Sequence, residues 1–319
     1  TVTATGVETI YGGNSADLVT LAGTYTGGYV DLGKGSDTLL LDADGSTITA
    51  VGIESVVGSD SDDMLTLSGS VSGGYFDLKG GYDAIRVADS GSTFTIASVE
   101  SVIGGNGGDQ VTVAVGNTGY FALGLGNDQL TLLSTGATVT VISVETVTGG
   151  AGDDYVTLDG DGAVGTFKLK EGSDTINIQS TGATITIASV ETVLGSYGND
   201  VISVSDLYTG GQLDLGAGND SVTFGNFANT ATLVNVETIT GASGDDLVVL
   251  ASAVTGATID LKDGVDTLEL ANAGGTLTVL NVETIVGDSG NEVITLGNVA
   301  SGLTIDLGSG IDMLTLANQ

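Results

Sequence analysis

Along this chain apolar residues alternate with polar or small ones in short runs, and no segment holds a helical period with caps. Val156 and Leu158, Ile176 and Ile178, and Ile259 and Leu261 are each separated by one polar residue. Period two, in segments dominated by Thr, Val, Ile and Leu, predicts strands with one buried face. Glycine-rich turns separate the runs. One string departs from alternation: in Val-Glu-Thr-Ile the first and fourth residues are both apolar, which predicts a bend with the carboxylate outside.

These pieces recur. The string Val-Glu-Thr/Ser, once Ile-Glu-Ser, places glutamates at Glu8, Glu54, Glu100, Glu145, Glu191, Glu237 and Glu283, with gaps of 46, 46, 45, 46, 46 and 46 residues. Seven such repeats fill residues 1–319 as a single array, which reads as an excerpt from a longer one and leaves no room for a separate catalytic domain. Each repeat holds two related glycine turns. The first is Gly149-Gly150-Ala151-Gly152-Asp153-Asp154 in the fourth repeat, and the second is Leu215-Gly216-Ala217-Gly218-Asn219-Asp220 in the fifth. Strand, turn, strand and loop at fixed length predict an all-β fold, a parallel β-solenoid of about 14 coils, two per repeat. The absence of proline fits a stack in which most backbone N–H groups enter ladders.

Composition narrows the chemistry. Forty Asp plus Glu against 6 Lys plus Arg give a formal charge of -34, which argues against nucleic acid or an anionic membrane as partner. Zero Cys and zero His exclude disulfides, thiolate chemistry and Ser-His-Asp machinery, so no enzyme is expected. At 41% hydrophobic residues the chain is too apolar for disorder, and it has no apolar run long enough to insert in a membrane. The N-terminus lacks the basic start of a signal peptide. A phosphate cradle is disfavoured because no Gly-Lys-Ser/Thr follows the glycines.

The turn pattern Gly-Gly-x-Gly-x-Asp-x-hydrophobic resembles the RTX (haemolysin-type) calcium-binding repeat. Physically, glycines allow positive φ, which aims carbonyls at one point, and stacking brings oxygens from two turns around one ion. Such hard oxygen ligands suit Ca²⁺. The resemblance implies ligands at Asp17, Asp63, Asp109, Asp154, Asp200, Asp246 and Glu292 in the first turns. In the second turns it implies Asp37, Asp83, Asp128, Asp174, Asp220, Asp266 and Asp312. The opening glycine of the motif matches Gly12, Gly58, Gly104, Gly149, Gly195, Gly241 and Gly287, whereas leucine stands there in every second turn. Each coil then has one such turn, and a single calcium row is expected along one edge. Loops such as Asp42 to Thr47 and Ser180 to Thr184 would lie opposite.

The resemblance also implies export by a type I system and folding in external calcium. The expected role is structural: a surface-layer, filament or adhesin-spacer element at the cell surface or outside it, with self-assembly or other such subunits as partners. The alternatives are a calcium-folding appendage of a secreted hydrolase or toxin and, from Thr-x-Thr in every repeat, an ice-binding solenoid. The glutamate ladder is expected to accept a neighbouring backbone N–H. Finally, even repeats carry Lys79, Lys170 and Lys262 where odd repeats have Gly33, Gly124, Gly216 and Gly308. The same repeats carry Asp62, Asp153 and Asp245 where odd repeats have Ala16, Gly108, Asn199 and Asn291. Ion pairs Lys79–Asp62, Lys170–Asp153 and Lys262–Asp245 are the expectation.

Overall fold

A computed structural model of the chain describes residues 1–319 except 43, 116–117, 134–135, 271–273, 299–300 and 317–319. The described residues form strands and turns with no helix, and the strands pair in parallel, as a β-solenoid requires. The chain folds as two compact units, Thr1–Val156 and Thr157–Gln319.

In the first unit successive strands alternate between two sheets. Sheet one begins Val2–Ala4, Leu18–Leu21, Thr38–Leu41, Ser55–Val57, and sheet two begins Thr9–Gly13, Thr26–Gly33, Thr47–Val51, Met64–Leu67. Within each sheet the register step is 17 to 21 residues, so one coil is one such step. Alternation along each strand puts one side chain in two inside. A single inward file, Val19, Leu39, Val56, Phe76, Ile96, Val113 and Leu132, runs through sheet one, and all are buried. Burying each such side chain stabilises by about 1.5–3 kcal/mol. The second unit is built likewise, with the file Ile202, Val222, Ile239, Ile259, Val279 and Leu296.

The fit of repeat to coil differs from expectation. One repeat contributes five strands, from Thr9–Gly13 to Thr47–Val51, where two whole coils need four. The next repeat therefore starts in the other sheet. In the first unit the turns of repeats one and three lie on the edge where the chain passes from sheet two to sheet one, and those of repeat two lie on the opposite edge. In the second unit repeats five and seven share an edge, and repeat six uses the other. The single row of fourteen turns is thus replaced by turns on both edges. Of the loops Asp42 to Thr47 and Ser180 to Thr184, the first includes residue 43, which lies outside the described residues; the described part of each is not opposite the turns either, Ser46 N–H donating to Asp63 Oδ1 and Ala183 N–H to Asp200 Oδ1 on the turns that follow.

Candidate functional site

The two glycine turns of a repeat stack directly, because both leave the same sheet on successive coils. The N–H of Asp17 donates to Asp37 Oδ1 at 2.7 Å, and the N–H of Asp37 donates to Glu54 Oε2 at 2.8 Å. Three carboxylates from three coils therefore form one column. The same relay links Asp63, Asp83 and Glu100; Asp109, Asp128 and Glu145; Asp200, Asp220 and Glu237; and Asp246, Asp266 and Glu283. Asp174 N–H donates to Glu191, and Glu292 N–H to Asp312. The expected bond from the glutamate ladder to a backbone N–H is present at Glu54, Glu100, Glu145, Glu191, Glu237 and Glu283. These six are half-buried rather than outside, whereas Glu8 is exposed.

Burial of these acids is extensive. Asp63, Asp109, Asp154, Asp200, Asp246, Glu292 and all second-turn aspartates from Asp37 to Asp266 are at most 2% exposed; Asp17 is half-buried and Asp312 exposed. Oδ1 of Asp37, Asp83, Asp128, Asp220, Asp266 and Asp312 is used by the relay. Oδ2 of Asp37, Asp83, Asp128, Asp220 and Asp266 is buried without a hydrogen-bond partner, as are both carboxylate oxygens of Glu292. Among the first-turn acids, Oδ2 of Asp109 and Asp246 is likewise buried without a partner, whereas Oδ2 of Asp17, Asp63 and Asp154 accepts an N–H of its own turn, from Gly13, Ser59 and Gly150.

An ionised carboxylate with one orphaned oxygen is costly to bury. Burial, with smaller repulsion from Asp63, Glu100 and Asp62, outweighs the Asp63 N–H bond and pushes Asp83 up to about 7. Burial does the same for Asp128, Asp220 and Asp266, to about 6. Asp109, Asp200 and Asp246 are also raised by burial. The columns of Asp83, Asp128, Asp220 and Asp266 thus call for a proton or a positive charge, and among the described residues Lys262 pairs with Asp260 rather than with a column acid.

The residues meet the demands of a hard cation in donor chemistry, since the turns offer carboxylates and backbone carbonyls and no softer ligand. Among the described residues no group of three or more carboxylates is arranged to hold a metal ion by side chains alone. Any ion must therefore draw on backbone oxygen as well.

The opening glycines have a different reason from the one expected. Gly12, Gly58, Gly104, Gly195, Gly241 and Gly287 do not adopt positive φ. A Cβ there would collide with the backbone carbonyl of Leu32, Leu78, Leu123, Leu215, Leu261 or Leu307, one coil on. Close approach, not left-handed geometry, excludes a side chain. Gly149 is buried at the same place in its turn. Leucine replaces glycine in the second turn because it is the partner that presses on it, with its own side chain inside.

Positive φ is found elsewhere. Gly33, Gly124, Gly216 and Gly308 have it, and so do Lys79, Lys170 and Lys262 at the same place, with φ of 70°, 75° and 73°. The lysines are stand-ins for glycine. Lys262 pairs with Asp260, two residues back, rather than with Asp245, and among the described residues Lys79 forms no ion pair with Asp62. Asp62 and Asp245 instead accept the N–H of Tyr82 and Val265 on the next coil. Asn199 and Asn291 accept Asn219 and Ile311 in the same way. Sequence reading missed this cap, although Asp or Asn at one position in five of seven repeats is its signal.

No protein-family model and no curated protein matches the chain.

Proposed function

We propose that this chain is a calcium-stabilised structural β-solenoid of a secreted or cell-surface protein, serving as a surface-layer, filament or spacer element rather than as an enzyme. The observation that carries the reading is the buried, partnerless Oδ2 of Asp37, Asp83, Asp128, Asp220 and Asp266, stacked against other acids in a chain of charge -34. Bound calcium supplies the positive charge that these oxygens lack. Asp37, Asp83, Asp128, Asp220 and Asp266 would hold it from one coil, the first-turn acids from the coil before, with carbonyls of the glycine turns. Hard oxygen donors favour calcium over softer metals. An extracellular setting, where calcium is abundant, follows from that requirement and from the turn motif, and the repeat array offers length rather than a catalytic cleft.

Because ligands that repel one another when empty make binding energy into folding energy, metal removal is the direct test. After exhaustive chelation at low salt, verified by elemental analysis, the far-ultraviolet β-sheet signal is expected to collapse and to return with added CaCl₂. A metal-free protein with an unchanged spectrum would defeat the proposal.

A further inference from the structure

We propose that the cation sites fall into two affinity classes, set by whether an aspartate or an uncharged residue stands immediately before the first-turn ligand. The inference rests on the calcium reading above and adds what distinguishes one column from the next.

Columns are separate islands. Along one edge of the first unit the Asp17–Asp37–Glu54 column is followed by the connections at 68–71 and 88–92, and only then by Asp109. Three coil steps at roughly 4.8 Å leave about 14 Å between Glu54 and Asp109, beyond the Debye length of about 8–10 Å at moderate salt. Each island therefore responds to its own charges and to those on the connections that abut it, such as Asp89 against Gly105.

Those charges differ by repeat. Beside Asp63–Asp83–Glu100 stands Asp62, and beside Asp246–Asp266–Glu283 stands Asp245. Each grips the next coil through the N–H just before Asp83 or Asp266, at 2.7 and 2.9 Å, which fixes its carboxylate against the column. Asn199 makes the same bond at 2.9 Å beside Asp200–Asp220–Glu237. Asp and Asn are here interchangeable in geometry and differ by one negative charge. Repeats one and three have Ala16 and Gly108 and carry no charge there. The lysine of the even repeats does not cancel the extra charge in the sixth, because its ammonium is drawn to Asp260. Within each unit the two classes also lie on opposite edges, since even and odd repeats turn on opposite edges.

One added carboxylate a few ångströms from a divalent ion tightens binding about tenfold. Stepwise withdrawal of calcium from the calcium-loaded full chain by graded chelator in about 0.1 M salt, followed by calorimetry, should thus resolve a tight and a weak phase. Asp62→Asn and Asp245→Asn should each move about one equivalent from the tight phase to the weak one, and Asn199→Asp should move about one the other way. Far-ultraviolet spectra of the calcium-loaded variants should match the parent, because the hydrogen bond is retained. A single phase that these three variants leave unchanged would overturn the two-class inference while leaving calcium binding intact. Absence of any binding in the parent chain would overturn the calcium reading itself.

Discussion

Seven residues in left-handed backbone precede the seven Val-Glu or Ile-Glu bends: Gly6, Gly52, Ser98, Ser143, Ser189, Asn235 and Asn281. From Gly52 onward, each enables the turn that brings its glutamate under the aspartate of the previous coil. Glycine takes that conformation freely, whereas serine meets a steric penalty of roughly 1–2 kcal/mol, partly offset by the freedom that glycine loses on folding. Ser189 recovers some of this through its bonds to Asp206. Ser143→Gly should accordingly stabilise by about 0.5–1 kcal/mol in calcium-loaded thermal melts. Lys79→Gly should do likewise, whereas a stabilising ion pair at Lys79 would make the variant weaker.

Acid would act on the same atoms as the proposed calcium. The folded-state values of Asp83, near 7, and of Asp128, Asp220 and Asp266, near 6, lie above the ordinary aspartate value of 3.8. A raised folded value means that folding favours the protonated form: stability is fully present below about 3.8 and is lost as pH rises through 6 to 7. Metal-free protein should therefore regain β-sheet signal as pH falls from about 8 to about 5. A signal that stays flat or declines over that interval would contradict the burial of these carboxylates.

At the scale of the element, the close stacking of a first turn beneath a second decides which substitutions are tolerated. Gly104 has the Leu123 carbonyl directly over it, so Gly104→Ala must push two coils apart and should cost about 1–3 kcal/mol, as an overpacked core does. Gly13 faces open space, and Gly13→Ala should leave chemical denaturation unchanged. Much of this element was legible beforehand. Alternation at Val156 and Leu158 or Ile259 and Leu261 marks strands whose inner residues are buried, and the spaced aspartates mark the columns. The reason for each glycine was not legible, because a close approach and a positive φ select the same residue. Lys79 was misread for a related reason: it stands at a backbone-determined position, and its ammonium drew attention to charge. The threonine pattern was incompletely read too. Motifs spaced along the chain hide an unbroken outward file, Ser221, Thr238, Thr258, Thr278, Thr295 and Thr315, that only the register of the second unit assembles.

Within each unit of the molecule, the odd strand count per repeat also bears on how such an array can change in length. Adding or losing 46 residues would restore every strand pairing, since both sheets accept the same inward pattern, yet it would send each later turn to the opposite edge. Adding or losing a pair of repeats keeps every later turn where it was. A recombination event counted in single repeats is therefore neutral for the core but a mirror-like exchange for anything that recognises one edge, and one counted in pairs is neutral for both. Even and odd repeats carry different residues before the first-turn ligand, Asp62 and Asp245 against Ala16, Gly108, Asn199 and Asn291. The genetic unit that preserves the surface is thus the dimer of repeats, although the unit that preserves the fold is the monomer.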